Sequence, residues 1–293
     1  MRPNISDAEL LSFLRRLHGR QVHIQPLAEG VESRACAYTM GGDAFILRVG
    51  AAGPGFRKDH LAYHRFGSAL VPVPEVVALG PYAPGLEYCI SRRLPGFTLQ
   101  DAPSAVVEAT LDVTLEAMLA IWATDISFTA GFGVLDDVGR APSATWRSYL
   151  EGIVGDRTRY LPAAVGAENS SRVLHCLAWL MTACPEDRQL IHGDFGANNL
   201  LTDGLRITGV LDWDVASCGD PLWDVATALF WATWLPCFER LEQHCRRRLG
   251  HLAAYRERVL CYALIMGVGE ATGSDTAIHD WAARRCLELL SAA

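Results

Sequence analysis

The residues whose types and spacing could do chemistry lie between positions 190 and 224. In LIHGDFGANNLLTDGLRITGVLDWD, Asp194 and Asn199 follow an apolar Leu-Ile pair, and Asp212 ends a second apolar run. Gly219-Asp220-Pro221 and Asp224 come directly after. Phosphoryl transfer needs such a set: one carboxylate to accept or orient the nucleophile's hydroxyl, and a second carboxylate with an amide oxygen to hold Mg²⁺ against nucleotide phosphates. Asp194, Asp212 and Asn199 supply those three groups. Turn chemistry explains any one of them, because Asp and Asn bond their own backbone in loops. It does not explain the whole pattern.

Such groups need rigid supports. NNLLTDG and RITGVLD read as two short strand arms around a turn at Asp203-Gly204, which puts both carboxylates at strand or loop ends facing a cleft. Upstream, VHIQPL, RACAYTM and AFILRV read as strands, and a helix follows from about Arg57 to Leu70. The prolines of VPVP stop it. EVVALG and LEYCISRR resume the strands, and Pro95-Gly96 marks a turn. From about Pro103 the apolar residues recur at three and four, in VVEATLDVTLEAMLAIWA, SSRVLHCLAWLMTA, LWDVATALFWATWL and WAARRCLELLSAA. The expected class is α+β, with a small sheet-rich lobe at 1–92, a larger helical lobe at 93–293 and a cleft between them.

Composition bounds the function. A chain of 293 residues, 50% of them hydrophobic, has ample core for two lobes. A net charge of −7 argues against a nucleic-acid binder and suits cationic ligands. Nine scattered cysteines without a CxxC pair imply reduced thiols and no zinc site. The first residues read as a helix with a Ser6/Glu9 capping box and Gly19 as its stop, not as a signal peptide. The runs LFWATWL and VLCYALIMGVG are too short to cross a bilayer. A cytoplasmic, monomeric enzyme with neither nucleic-acid nor membrane partners is the expectation. His60 and His64 stand four apart on the predicted helix without a third ligand, so they read as surface histidines. Of the 26 basic residues only Lys58 is a lysine.

HGDFGANN, VLDWD and GDPLWDVA resemble the signatures of the aminoglycoside phosphotransferases, antibiotic kinases with a protein-kinase-like two-lobed fold. LAEGVESRACAY, ILRVG, YCISRR, TLQD and the GFG at 131–133 are similar, in the same order, to the branch of that family acting on hygromycin B. The resemblance implies a nucleotide, ATP or GTP, bound with Mg²⁺ between the lobes. It implies Asp194 as catalytic base, Asn199 and Asp212 as magnesium ligands, and Ile90, Ser91, Arg92 and Arg93 as a hinge whose backbone receives adenine. It further implies Asp220 as a brace for the catalytic loop and His192 as a structural residue beneath it.

Two departures from the kinase pattern stand out. Arg48 in AFILRV occupies the place of the phosphate-binding lysine, and the family's spacing back from VPVP selects Asp59 as its acidic partner. An exposed pair of this kind would contribute little, whereas a guanidinium can bind phosphate through its planar fork. The phosphate-covering segment carries a single glycine, which leaves Ser33 and neighbouring amides for that contact. A cationic acceptor calls for carboxylates and amides, and Asn198, Asp194 and Asp212 are adjacent, with Glu270 and Asp275 from GVGEATGSDTA as further contributors. The leading reading is therefore an O-kinase acting on an aminoglycoside. A metabolite kinase of the same fold is its variant, and a catalytically silent kinase-like binding module is the alternative. A hydrolase is disfavoured, because there is no GxSxG elbow.

Overall fold

In the computed structural model the described residues are 3–19, 22–27, 33–273 and 276–292. Helix α1 (Asp7–His18) begins at Ser6, whose hydroxyl accepts the Glu9 N–H while the Glu9 carboxylate accepts the Ser6 N–H, and it ends at Gly19 with φ +63°. Both signals were legible in the sequence. Strands β1 (Ile24–Pro26), β2 (Arg34–Met40) and β3 (Asp43–Ala51) precede helix α2 (Gly55–Arg65), and β4 (Val76–Ala83) and β5 (Leu86–Arg92) follow it. These five form one antiparallel sheet in the order β1-β2-β3-β5-β4.

Helix α2 ends five residues before the expected Leu70. Phe66 and Gly67 both donate to the Ala62 carbonyl, and the Ser68 hydroxyl accepts the Val71 N–H. A local turn thus outcompetes the last helical turn. Strand β5 is interior to the sheet, with Ser91 paired to both Ile46 and Val76.

The remaining chain is mainly helical. It comprises β6 (Phe97–Thr98), α3 (Ser104–Trp122), β7 (Gly133–Val134), α4 (Trp146–Thr158), α5 (Leu161–Val165) and α6 (Ala167–Leu180). Next come β8 (Gln189–Ile191), β9 (Leu200–Thr202), β10 (Ile207–Val210), β11 (Ser217–Gly219), α7 (Leu222–Trp231), α8 (Pro236–Leu249), α9 (Tyr255–Ala271) and α10 (His279–Ala292). The predicted arms are β9 and β10, antiparallel and joined at Asp203-Gly204, with β6 on the outer side of β9. Strand β11 lies between β7 and β8.

Two apolar clusters hold the fold. One packs α1 on the sheet through Leu10, Leu14, Leu47 and Ile90. The larger surrounds α9, whose run from Val259 to Ile265 is buried on all sides, and it extends to Ala62 of α2 and to Phe66 at the end of that helix. VLCYALIMGVG is therefore a core helix, and among the described residues no helix is long and apolar enough to cross a membrane. The nine cysteines are free thiols.

Candidate active site

The loop from β8 to β9 carries HGDFGANN, and its shape follows from a few bonds. Gly193 has φ +89°, and any Cβ there would collide with the Val215 carbonyl, so only glycine fits. Its N–H donates to Asp224 Oδ1 at 2.9 Å and its carbonyl accepts the Trp223 indole N–H at 3.2 Å. Asp224 Oδ2 accepts the His192 N–H at 3.1 Å and the Trp122 indole N–H at 3.3 Å. The brace of this loop is thus Asp224 on α7. Asp220, to which sequence reasoning gave that role, instead bonds Arg258 at 2.5 and 2.7 Å and the Tyr262 hydroxyl at 2.5 Å, both on α9. Four residues apart at the start of α7, the two carboxylates serve different neighbours. Burial pushes Asp224 up to about 7, against the pull of the Gly193 and His192 N–H groups.

His192 is fully buried, as expected of a structural residue. Its Nε2 lies 2.9 Å from the Leu211 carbonyl and its Nδ1 accepts the Asp194 N–H at 3.3 Å, which together require the neutral ring protonated on Nε2. Burial lowers its pKa, in agreement. The imidazole therefore ties the Asp194 loop to the end of β10 and is not a base.

Asn199 donates its Nδ2 to Asp194 twice, to the carbonyl at 3.0 Å and to Oδ2 at 2.8 Å. This orients the carboxylate and leaves the Asn199 amide oxygen as the group a cation could use. Asp212 follows β10 with φ +62°, a left-handed conformation costing about 1–2 kcal/mol for a non-glycine residue. Burial, with the carboxylates of Asp59, Asp194 and Asp214 nearby, pushes Asp212 up to about 6 against the opposing charge of Arg48. A pocket that resists its own negative charge in this way suits a divalent cation.

On the sheet side, Arg48 Nη2 meets Asp59 Oδ2 at 2.5 Å, so the pair inferred by counting back from VPVP is present. Burial works against the Arg48 charge, but the Asp59 carboxylate outweighs it and the guanidinium pKa is raised. Asp59 Oδ1 also accepts the Trp213 N–H at 3.2 Å, which joins α2 to the residue after Asp212. Ser33 stands at the entry to β2 against Gly50 of β3. In the Ile90–Arg93 segment two backbone N–H groups are already bonded within the sheet region. The Arg92 N–H donates to Glu75 O and the Arg93 N–H to Ala44 O, both at 2.9 Å, so neither serves adenine as a donor. Their side chains point to ion pairs and polar contacts elsewhere: Arg92 to Asp43 and Glu75, Arg93 to Gln25.

On the other side of Asp194 opens a cavity of about 420 Å³. Glu270 is among its lining residues, and five aromatic side chains cluster in its wall: Trp146, Tyr149, Trp223, Phe230 and Trp231. Trp146 and Tyr149 come from α4 and Trp223, Phe230 and Trp231 from α7, and only the fold brings them together. Asn198 is exposed and, like Asp212, is not among the lining residues, while Asp275 lies outside the described residues. Trp146 is fixed by an N–H donated to the Tyr262 hydroxyl at 3.0 Å, which makes the Asp220 network a support for the cavity wall.

Comparison with known proteins bears on this arrangement. Residues 23–258 match the phosphotransferase enzyme family. The chain is 38% identical over 292 residues to the hygromycin-B 4-O-kinase of Escherichia coli, covering 97% of this chain and 85% of that protein. It is 31% identical over 206 residues to the viomycin phosphotransferase of Streptomyces vinaceus, covering 66% and 63%. A ternary complex of a thermostable mutant of aminoglycoside phosphotransferase APH(4)-Ia with AMP-PNP and hygromycin B superimposes with a TM-score of 0.89 at 37% identity, covering 97% of this chain and 98% of that one. With the kinase-like α+β fold, the loop signatures and both comparisons in agreement, the chain belongs to the aminoglycoside phosphotransferases of the phosphotransferase enzyme family.

Proposed function

We propose that this phosphotransferase moves the γ-phosphoryl group of ATP to a hydroxyl of an aminoglycoside of the hygromycin B type. The observation that carries the proposal is Asp194, fixed by Asn199 on one side and facing the aromatic cavity on the other. The acceptor sits in that cavity with its hydroxyl toward Asp194, which takes the proton as the oxygen attacks the γ-phosphorus of ATP and ADP leaves. Aromatic faces suit sugar rings and ammonium groups, each cation–π contact contributing about 0.5–2 kcal/mol, and Glu270 supplies a countercharge at the wall. Asn199 through its amide oxygen and Asp212 through its carboxylate would hold Mg²⁺, which would supply positive charge to offset that of the nucleotide phosphates.

The product gains about −1.5 to −2 charges, which weakens a cationic drug's hold on ribosomal RNA. The test is nucleotide consumption against an aminoglycoside panel with ATP and GTP in parallel, with mass spectrometry of the product. A monophosphorylated hygromycin B and raised tolerance in a susceptible bacterium are expected. Modification of a different aminoglycoside alone would retain the chemistry and reject the substrate, and modification only of non-antibiotic amino alcohols would favour a metabolite kinase.

Two consequences concern the nucleotide. Arg48→Ala should raise the KM for ATP about tenfold, the scale of a lost charged hydrogen bond, and Arg48→Lys should recover part of it. Unchanged ATP kinetics in Arg48→Ala would confine Arg48 to its ion pair. Asp212→Ala should weaken magnesium-dependent nucleotide binding by about tenfold or more, read by titration at several Mg²⁺ concentrations. An unaltered metal dependence would move the site away from Asp212.

A further inference from the structure

We propose that Lys58 is a positioning residue for the magnesium–nucleotide end of the site, holding the Asp212–Trp213–Asp214 turn against helix α2; the proposal rests on the phosphotransferase reading above. Asp212 sits in the left-handed region, a conformation that persists only where its surroundings enforce it. Consecutive residues of α2 grip consecutive residues of that turn. Asp59 accepts the Trp213 N–H at 3.2 Å, and the Lys58 ammonium donates to the Asp214 carbonyl at 2.5 Å and lies 3.4 Å from its carboxylate.

The same carboxylate lies over the first turn of α2. Its Oδ1 is 3.2 Å from where a Gly55 side chain would begin, and Pro54 gives that helix end no side-chain cap. An anion there is favoured by the unsatisfied amides of the helix start. Asp214 is therefore held from two directions, by the α2 N-terminus and by Lys58, and Lys58 is only 11% exposed, so water does not readily replace it.

Residue choice points the same way. Lys58 is the one lysine in a chain whose other basic residues are all arginines. A compact ammonium with three donors can serve a carbonyl and a carboxylate on one residue, where a planar guanidinium is shaped for a bidentate partner. The expected role is to hold Asp212 at the angle from which its carboxylate meets the cation, without touching nucleotide.

The test compares wild type, Lys58→Met and Lys58→Arg by calorimetric titration with a non-hydrolysable ATP analogue, with and without Mg²⁺, alongside the melting temperature. Lys58→Met should weaken binding with Mg²⁺ by about 5- to 20-fold, the scale of one partly exposed charged hydrogen bond, and leave metal-free binding within about twofold. Lys58→Arg should recover part of the loss. Asp214→Asn, which keeps the carbonyl acceptor, should shift the same quantity by less and provides the measurement if Lys58→Met does not fold. Equal losses with and without Mg²⁺, or a lowered melting temperature with wild-type metal-dependent binding, would overturn the role and leave Lys58 a structural contact. Wild-type protein that binds no nucleotide in a magnesium-dependent way would overturn the phosphotransferase reading itself.

Discussion

Asp194→Asn is expected to lower kcat by about 10²- to 10⁴-fold while nucleotide affinity stays near wild type, the range over which a positioned base contributes to a transition state. The substitution is well controlled here. Asp194 Oδ2 accepts the Asn199 amide at 2.8 Å, and an asparagine oxygen can accept the same bond. The Asp194 N–H to His192 Nδ1 and the Asn199 bond to the Asp194 carbonyl involve backbone and are untouched. The loop keeps its shape and loses only the ability to take a proton. Steady-state kinetics with the acceptor identified by the panel, together with titration of a nucleotide analogue, separate the two quantities. Turnover within about tenfold of wild type would remove Asp194 from the base role.

The parts of the site that were legible in the sequence are those set by short-range chemistry. His192, Asp194 and Asn199 lie on one loop, and Asp212 follows the strand that pairs beside it, so their spacing already implied their proximity. The turn at Asp203-Gly204 and the Ser6/Glu9 cap were legible for the same reason: each is decided within four residues. Arg48 and Asp59 were legible through a family spacing and are joined at 2.5 Å. What was not legible depends on how whole elements are rotated and stacked. Asp220 and Asp224 both look inward from the start of α7, and its orientation toward the catalytic loop decides which of them meets His192 and Gly193. The acceptor cavity was expected to be rich in carboxylates and amides. Its aromatic wall draws Trp146 from α4 and Trp223 and Trp231 from α7, residues distant in sequence and ordinary in their own helices. The bonds that the Arg92 and Arg93 N–H groups make to Glu75 and Ala44 depend on the place of β5 between β3 and β4, which local pattern does not encode.

Asp224→Asn carries the second large effect and tests the correction from Asp220. Asp224 presents two oxygens to three N–H donors: His192, Gly193 and the Trp122 indole. All three partners give hydrogen, so the side chain must accept on both oxygens. An asparagine replaces one oxygen with NH₂, which turns a donor toward a donor and leaves at least one buried N–H without an acceptor, at a cost of about 1–3 kcal/mol in stability. With the side chain fully buried, no water takes up the lost bond. Gly193 is the residue that loses its anchor or shifts, because its N–H holds the one bond to Oδ1 and its left-handed backbone has no side-chain packing to fix it. Displacement of Gly193 moves Asp194, its neighbour, away from the acceptor hydroxyl. Misplacement of about 1 Å costs on the order of 10²-fold in rate, so kcat should fall by about 10²- to 10³-fold, with the KM for ATP little changed because Arg48, Asp59 and Trp213 are held by other bonds. Chemical denaturation measures the first effect and steady-state kinetics the second. The matched control is Asp220→Asn, which should loosen Tyr262 and Trp146 at the cavity wall and so raise the acceptor KM more than it lowers kcat. Wild-type kcat in Asp224→Asn, with the stability loss intact, would make Asp224 a fold contact and leave the catalytic loop braced by Trp223, His192 and Asn199.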